Sequence, residues 1–105
     1  MTKLAPTDEC DEVLKALSNP VRRQILSKMK DPEANFPGQE QPYELGVCAG
    51  RIDGACGLSQ STISAHLAIL QHAGLITARR VGQWVFYKRN EPGIAAFLET
   101  LEQSL

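Results

Sequence analysis

A run of small polar side chains near the middle of the chain is followed by a group of cations. Residues 57–62 are Gly-Leu-Ser-Gln-Ser-Thr, and Arg79, Arg80 and Lys88 follow further along. Hydroxyl and amide groups can donate to and accept from base edges, while guanidinium and ammonium groups bind phosphate oxygens. These residue types together are typical of a surface that binds nucleic acid.

The same part of the chain contains no carboxylate. No Asp or Glu occurs between Gly57 and Asn90, although the whole chain has 12 acidic residues, 11 Lys and Arg, and a net charge of −1. The charge is therefore segregated along the chain, and a surface without carboxylates does not repel phosphates. We predict that duplex DNA is the partner of this region.

A helix from Gln60 to His72 positions the polar side chains. Ser59 is a good N-cap, Gly74 closes the other end, and apolar residues recur at helical spacing on one side. Such a helix fits the major groove, where the side chains near its N-terminus reach the bases. An ordinary solvated helix face is the alternative, but it usually contains Lys and Glu. The predicted DNA contacts in this segment are Ser59, Gln60, Ser61, Thr62, Ser64 and His66.

A β-hairpin predicted from Leu75 to Tyr87 positions the cations, which lie on or beside its turn. Side chains alternate with a period of two on both sides of Gly82-Gln83, which is a favourable turn sequence. Cations beside such a turn can bind phosphates or enter a minor groove as a wing, although a solvated hairpin with cationic edges looks similar. Trp84 is more simply explained by packing within the hairpin than by base stacking. The predicted DNA contacts here are Arg79, Arg80, Gln83 and Lys88.

The predicted fold has four helices before the hairpin, the last of which is Gln60–His72, and one helix after it. Asn19 and Pro20 form a strong helix start, whereas residues 31–47 contain three prolines and are predicted to be a long surface loop. The fold class is mainly α with a β-hairpin wing (α+β), in the order α-α-α-α-β-β-α. We expect one domain over residues 1–105, with residues 1–7 a flexible N-terminus. The flanking helices are predicted over residues 7–17, 20–30, 49–57 and 91–105.

Several function classes are disfavoured by the composition. The chain has no apolar run long enough to span a membrane and no secretory signal, so a cytoplasmic location is expected. No nucleophile has a base and an orienting partner at recognisable spacing, so we do not expect an enzyme. Because 105 residues bury only a modest core, a second copy is expected to complete it as a homodimer.

Four segments in this order resemble the ArsR-type winged helix-turn-helix repressors: residues 16–26 (ALSNPVRRQIL), 57–70 (GLSQSTISAHLAIL), 73–76 (AGLI) and 82–87 (GQWVFY). The resemblance extends over roughly residues 8–104. It implies a homodimer joined through the first and last helices, a palindromic operator, repression of transcription, and release by a small molecule, metalloid or oxidant. The apolar residues expected at the dimer interface are Val13, Leu14, Leu17, Ile94, Phe97, Leu98 and Leu101.

The cysteines are candidates for a sensing site. In the metalloid-sensing branch of this family, the helix before the turn carries Glu-Leu-Cys-Val-Cys, whereas residues 44–48 here are Glu-Leu-Gly-Val-Cys. Soft ions require three or four thiolate or imidazole ligands, which Cys48 alone cannot supply. A metal or metalloid ion is therefore not expected. If one bound, Cys48 would hold it together with Cys10 or Cys56.

Two further interpretations stay open at this point. Arg22 and Arg23 could contact phosphates, or could pair with carboxylates such as Asp53 or Glu44. The chain could also be a thiol-based redox or metal switch, or a winged-helix module that binds a protein and does not act on DNA. The lack of carboxylates in residues 57–90 argues against a function that does not involve DNA.

Overall fold

Six helices and a three-stranded antiparallel sheet form the part of the chain that the computed structural model describes, residues 9–105. The predicted flexible segment, residues 1–7, lies outside the described residues. The elements are α1 (Glu9–Leu17), α2 (Pro20–Lys28), α3 (Pro32–Asn35), β1 (Val47–Cys48), α4 (Ala49–Cys56), α5 (Gln60–His72), β2 (Ile76–Val81), β3 (Trp84–Arg89) and α6 (Glu91–Ser104). This mixed α+β architecture with a hairpin wing confirms the predicted fold class. Within residues 9–105, no helix is long and apolar enough to cross a membrane.

The segment predicted to be a long loop contains more structure than expected. It includes the four-residue helix α3, a 3-10 turn at Tyr43–Leu45, and β1, which joins the hairpin as a third strand. Gln39 ties this segment together, because its Oε1 accepts from the Cys48 N–H (2.8 Å) and its Nε2 donates to the Gly46 carbonyl (3.0 Å). The Glu-Leu-Gly-Val-Cys stretch therefore lies in a turn and a strand rather than on a helix.

Side-chain caps fix the helix starts that the sequence predicted. Asn19 Oδ1 accepts from the Val21 N–H at 2.8 Å, and Ser59 Oγ accepts from the Thr62 N–H at 3.2 Å. Each bond satisfies a backbone donor that has no partner within its own helix. Gly57 ends α4 in the left-handed conformation at φ +65°, which favours glycine and turns the chain into α5.

One cluster of buried apolar side chains holds the helices to the base of the sheet. Helix α5 contributes Ile63, Leu67 and Leu70, each at most 1% exposed, and this is the stripe that its periodicity predicted. Burying one such side chain stabilises the fold by about 1.5–3 kcal/mol. The orientation of α5 is therefore strongly determined, and its opposite face is left to the solvent.

The hairpin of β2 and β3, called the wing below, extends beyond the third strand. In the sheet order β1-β3-β2, β1 pairs only with Tyr87 and Phe86, near the base of the wing. The turn is formed by Gly82, at φ +62°, and Gln83, whose φ is not positive. This pattern fits a type II′ turn, whose twist matches that of the flanking strands. The end of the wing is thus a two-stranded projection.

Candidate nucleic-acid interface

The polar face of α5 is accessible along its N-terminal half. Because the apolar stripe turns inward, the small and neutral side chains face outward, and none of them is a carboxylate. The exposed residues among the predicted DNA contacts of this segment are Ser59, Gln60, Ser61, Thr62 and Ser64. A face of short side chains allows the helix backbone to approach a groove closely.

Three hydroxyl groups cluster at the start of α5. Ser59 Oγ donates to Thr62 Oγ1 at 2.8 Å and lies 3.3 Å from Ser61 Oγ. The positive end of the helix dipole and the first free N–H groups of α5 are at the same place. This end of the helix therefore offers hydrogen-bond donors and a partial positive charge to an anion such as a phosphate.

His66 differs from the other predicted contacts because it is half-buried. Its Nδ1 lies 3.4 Å from Nη1 of Arg22, which connects α5 to α2. Arg22 also donates from Nε to the Ala16 carbonyl at 2.7 Å and from Nη2 to the Lys15 carbonyl at 3.2 Å. Its partners are therefore the carbonyl groups that end α1, and not the carboxylates considered from the sequence.

The four predicted contacts of the wing, Arg79, Arg80, Gln83 and Lys88, are all exposed. Neighbouring residues of a strand point to opposite faces, so Arg79 and Arg80 do not share one face of the wing. Arg80 lies on the face of the buried Ile76, whereas Arg79 is paired with Phe86 on the other face. Lys88 Nζ donates to the Glu44 carbonyl at 3.2 Å. A single flat surface therefore cannot contact both arginines equally.

Arg89, the fourth cation of the carboxylate-free segment, serves a structural purpose. It forms two hydrogen bonds with the Glu91 carboxylate, at 2.8 and 3.0 Å, and Nη1 donates to the Leu26 carbonyl at 3.0 Å. The hydrogen bond from Arg89 lowers the pKa of Glu91 below its ordinary value. Arg89 thus fastens the base of the wing to α2 and α6.

One exposed pair was not expected from the sequence. Val81 and Trp84 face each other across the turn of the wing, and their side chains are 38% and 44% exposed. Packing within the hairpin therefore leaves much of the Trp84 ring in solvent. Its position directly after the turn, at the free end of a two-stranded ribbon, is the signal that could have indicated this exposure.

The comparison with known proteins identifies the family. Residues 52–78 match the model of the bacterial regulatory proteins of the arsR family. The chain is 45% identical over 94 residues to YbzH of Bacillus subtilis, named an uncharacterized HTH-type transcriptional regulator, and the match covers 85% of this chain and 94% of that protein. The chain belongs to the ArsR family. As a member, it is a transcriptional regulator and not an enzyme.

Other relatives of this ArsR-family regulator differ in the direction of their effect. The transcriptional activator HlyU of Vibrio cholerae is 34% identical over 91 residues, covering 87% of this chain and 72% of its own length. The transcriptional repressor SdpR of Bacillus subtilis is 34% identical over 80 residues, covering 76% and 74%. A homodimeric winged helix-turn-helix DNA-binding domain from Mycobacterium bovis has a TM-score of 0.63 and 26% identity, covering 99% of this chain and 90% of that one.

The residues predicted for a dimer interface fall into three groups in this ArsR-family chain. Val13 and Phe97 are buried in the core, and Leu17, Ile94 and Leu101 are half-buried against it. Leu14 on α1 and Leu98 on α6 are 43% and 55% exposed. A groove of about 620 Å³ lies between α1, α6 and the C-terminal end of α5. The exposed leucines are therefore the members of the set that are free to meet a second copy.

The residues present do not fit a metalloid site of the Glu-Leu-Cys-Val-Cys type. A Cβ at Gly46 would lie 2.5 Å from the Tyr87 carbonyl oxygen, and φ is +113°, so a cysteine is excluded at this position. Burial raises the pKa of the Cys56 thiol, although Lys28 opposes this, and the raised pKa disfavours the thiolate that metals need. Residues 9–105 contain no group of three or more His, Cys, Asp or Glu arranged to hold a metal ion.

Proposed function

We propose that this ArsR-family regulator is a homodimeric repressor that binds a palindromic operator and is released by an inducer. The observation that carries the proposal is the exposed face formed by α5 and the wing, which combines neutral polar side chains with cations and has no carboxylate between residues 57 and 90. Duplex DNA is the polyanion that matches both the shape and the charge of this face. The protein would act in the cytoplasm.

Helix α5 supplies the base contacts in this proposal. Its 13 residues span about 20 Å, which fits the major groove. The Gln60 amide is suited to adenine, and Thr62 can offer a hydroxyl to a base or phosphate and a methyl group to thymine. Ser59, Ser61, Ser64 and the free edge of His66 complete the set of contacts.

The wing supplies contacts that do not depend on sequence. The guanidinium groups of Arg79 and Arg80 and the Lys88 ammonium bind backbone phosphates, while the Gln83 amide lies at the turn and approaches the minor groove. Because Arg79 and Arg80 lie on opposite faces, the wing enters the groove edge-on and meets the two phosphate backbones on either side. These contacts contribute affinity and fix the position of α5 along the major groove.

A second copy provides the second half of the operator contacts. Two α5 helices related by a twofold axis bind half-sites about one helical turn apart, and this symmetry requires a palindromic sequence. The homodimeric neighbour from Mycobacterium bovis supports a dimer. In our proposal, the exposed Leu14 and Leu98 lie at the contact between the two copies. Repression is supported by the repressor among the relatives, and the activator among them makes the direction of regulation part of the test.

Salt-dependent titration tests the proposal. The protein is titrated against a duplex taken from the DNA upstream of its own gene and against a random duplex, at several salt concentrations. If the dimer neutralises roughly six to eight phosphates, log affinity falls against log salt with a slope of about −5 to −7. Transcription from the same duplex should decrease when the protein is added. No duplex binding would instead favour the protein-interaction module, and increased transcription would contradict repression.

A further inference from the structure

The wing tip, residues 81–84, carries an apolar pair that the proposed DNA contacts do not use. Val81 and Trp84 are directly opposite each other, and Trp84 is the one tryptophan of the chain. Their 38% and 44% exposure leaves apolar surface in water at the end of the hairpin. This surface is available to a partner of the wing.

The alternation of the strands places the pair on the same face as Arg79. Val81 is two residues from Arg79, and Trp84 is two residues from Phe86, which is paired with Arg79. Residues two apart in a strand share a face. This face therefore presents an apolar pair at the tip with a guanidinium group behind it, whereas Arg80 projects from the opposite face.

Val81 and Trp84 are partly open to solvent, and the third strand does not reach them. The third strand pairs only with Tyr87 and Phe86, and the turn projects past it. The two side chains also stabilise the hairpin by facing each other, as cross-strand pairs do. Cross-strand pairing explains why the two residues lie opposite each other, but it leaves part of the Trp84 ring exposed.

The charge around the pair indicates the nature of its partner. No carboxylate occurs from residue 57 to residue 90, and Arg79, Arg80 and Lys88 are all exposed on the wing. The wing and α5 belong to one carboxylate-free segment, so the polyanion proposed to bind α5 is also the partner that the charge of the wing favours. A polyanion with apolar grooves, which is the chemistry of duplex DNA, is complementary to both the charge and the exposed pair.

We propose that Trp84 and Val81 lie in the minor groove of the bound duplex, against deoxyribose rings and base edges, while Arg79 contacts a phosphate beside them. This inference rests on the proposed function, because it assigns a further part of the same complex. An apolar contact releases no counterions. Trp84 therefore contributes affinity that does not depend on salt, whereas Arg79 contributes affinity that does.

Fluorescence of the single tryptophan gives the first test. The wild-type protein is titrated with duplex DNA under conditions where a labelled duplex independently reports binding. Trp84 emission is expected to be quenched, with the same midpoint as the labelled duplex. Unchanged emission on saturation with DNA would overturn the inference. Emission that changes with protein concentration alone would overturn it as well, because it would assign the pair to self-association.

Three variants give the second test. Trp84→Val keeps a good strand former at the tip, and it is expected to weaken duplex binding about tenfold without changing the salt slope. Trp84→Phe should restore most of the affinity. Arg79→Ala should instead make the slope less negative by about 0.9 per protomer. Wild-type affinity in Trp84→Val would overturn the inference and leave the proposed function intact, whereas failure of the wild-type protein to bind any duplex would remove the proposed function itself.

Discussion

Arg22 lies 3.4 Å from His66 and at the same time holds the carbonyl groups that end α1. One guanidinium group therefore joins three helices. Helix α1 carries residues predicted to form the dimer interface, and α5 carries residues predicted to contact DNA. Arg22 therefore links the helix predicted to form the dimer interface to the helix predicted to contact DNA.

Removal of this connection should lower stability. Arg22→Ala loses two charge-assisted hydrogen bonds to carbonyl groups and the contact with His66, and we expect the free energy of unfolding to fall by about 2–3 kcal/mol. Urea denaturation measures the change. Arg23→Ala is the matched control, because Arg23 is exposed and bonds to the Leu17 carbonyl, and it should cost less than about 1 kcal/mol. Equal losses in the two variants would contradict the role assigned to Arg22.

Two glycines of the segment around α4 should respond in opposite ways to alanine. Gly46→Ala forces a Cβ against the Tyr87 carbonyl at a positive φ and should destabilise the protein by roughly 2–4 kcal/mol. Gly54→Ala lies within α4 with open space around it and should stabilise by about 0.5–1 kcal/mol. Thermal unfolding compares them. A tolerated Gly46→Ala would reopen the possibility of a cysteine, and hence of a metalloid site, at this position.

The Arg89–Glu91 ion pair should make stability depend on acid pH. Because Arg89 lowers the pKa of Glu91 from its usual 4.5, the stabilisation is fully present above that value. It is lost as the pH falls through the lowered pKa of the folded state. The effect should be small, since the Glu91 side chain is 65% exposed. The stability difference between wild type and Glu91→Gln, measured by denaturation from pH 7 to pH 3, should therefore shrink as the pH decreases. A difference that grows on acidification would be inconsistent with the lowered pKa.

Leu98 should control dimer formation if α6 joins the two protomers. Leu98→Lys places a charge where an apolar contact is expected. The dissociation constant of the dimer should therefore increase at least tenfold, and operator affinity should fall with it. Sedimentation velocity measures the association. Ala34→Lys is the control, since Ala34 is exposed on α3, outside the helices predicted to form the interface, and should leave the dimer unchanged. A dimer that persists in Leu98→Lys would move the interface elsewhere.

Local signals explain why the sequence predicted much of this fold. Asn19, Ser59 and Gly57 act through their nearest neighbours, and the stripe of α5 follows from helical periodicity. The hairpin likewise follows from alternation around Gly82. Such features need only residues that are close in sequence, so the main helices and the wing could be assigned before the structure was known.

Distant contacts explain what the sequence did not predict. The third strand depends on Gln39 reaching Cys48 and on pairing with residues some forty positions away, which no local pattern reveals. Arg22 donates hydrogen bonds to carbonyl groups of α1 rather than to carboxylates, because α1 ends beside it. The exposure of Trp84 depends on how far β1 extends along the wing, and this is set by tertiary structure rather than by residue type.

The most direct test of the central claim introduces a carboxylate into the face formed by α5 and the wing. Ala65→Glu places a negative charge on the exposed face of α5, and Ala34→Glu makes the same change at an exposed residue of α3, which does not belong to that face. Operator affinity measured by titration should fall more than about tenfold in Ala65→Glu, because each protomer then repels the phosphates it faces, and should be unchanged in Ala34→Glu. Equal affinities in the two variants would contradict the claim that this face binds DNA.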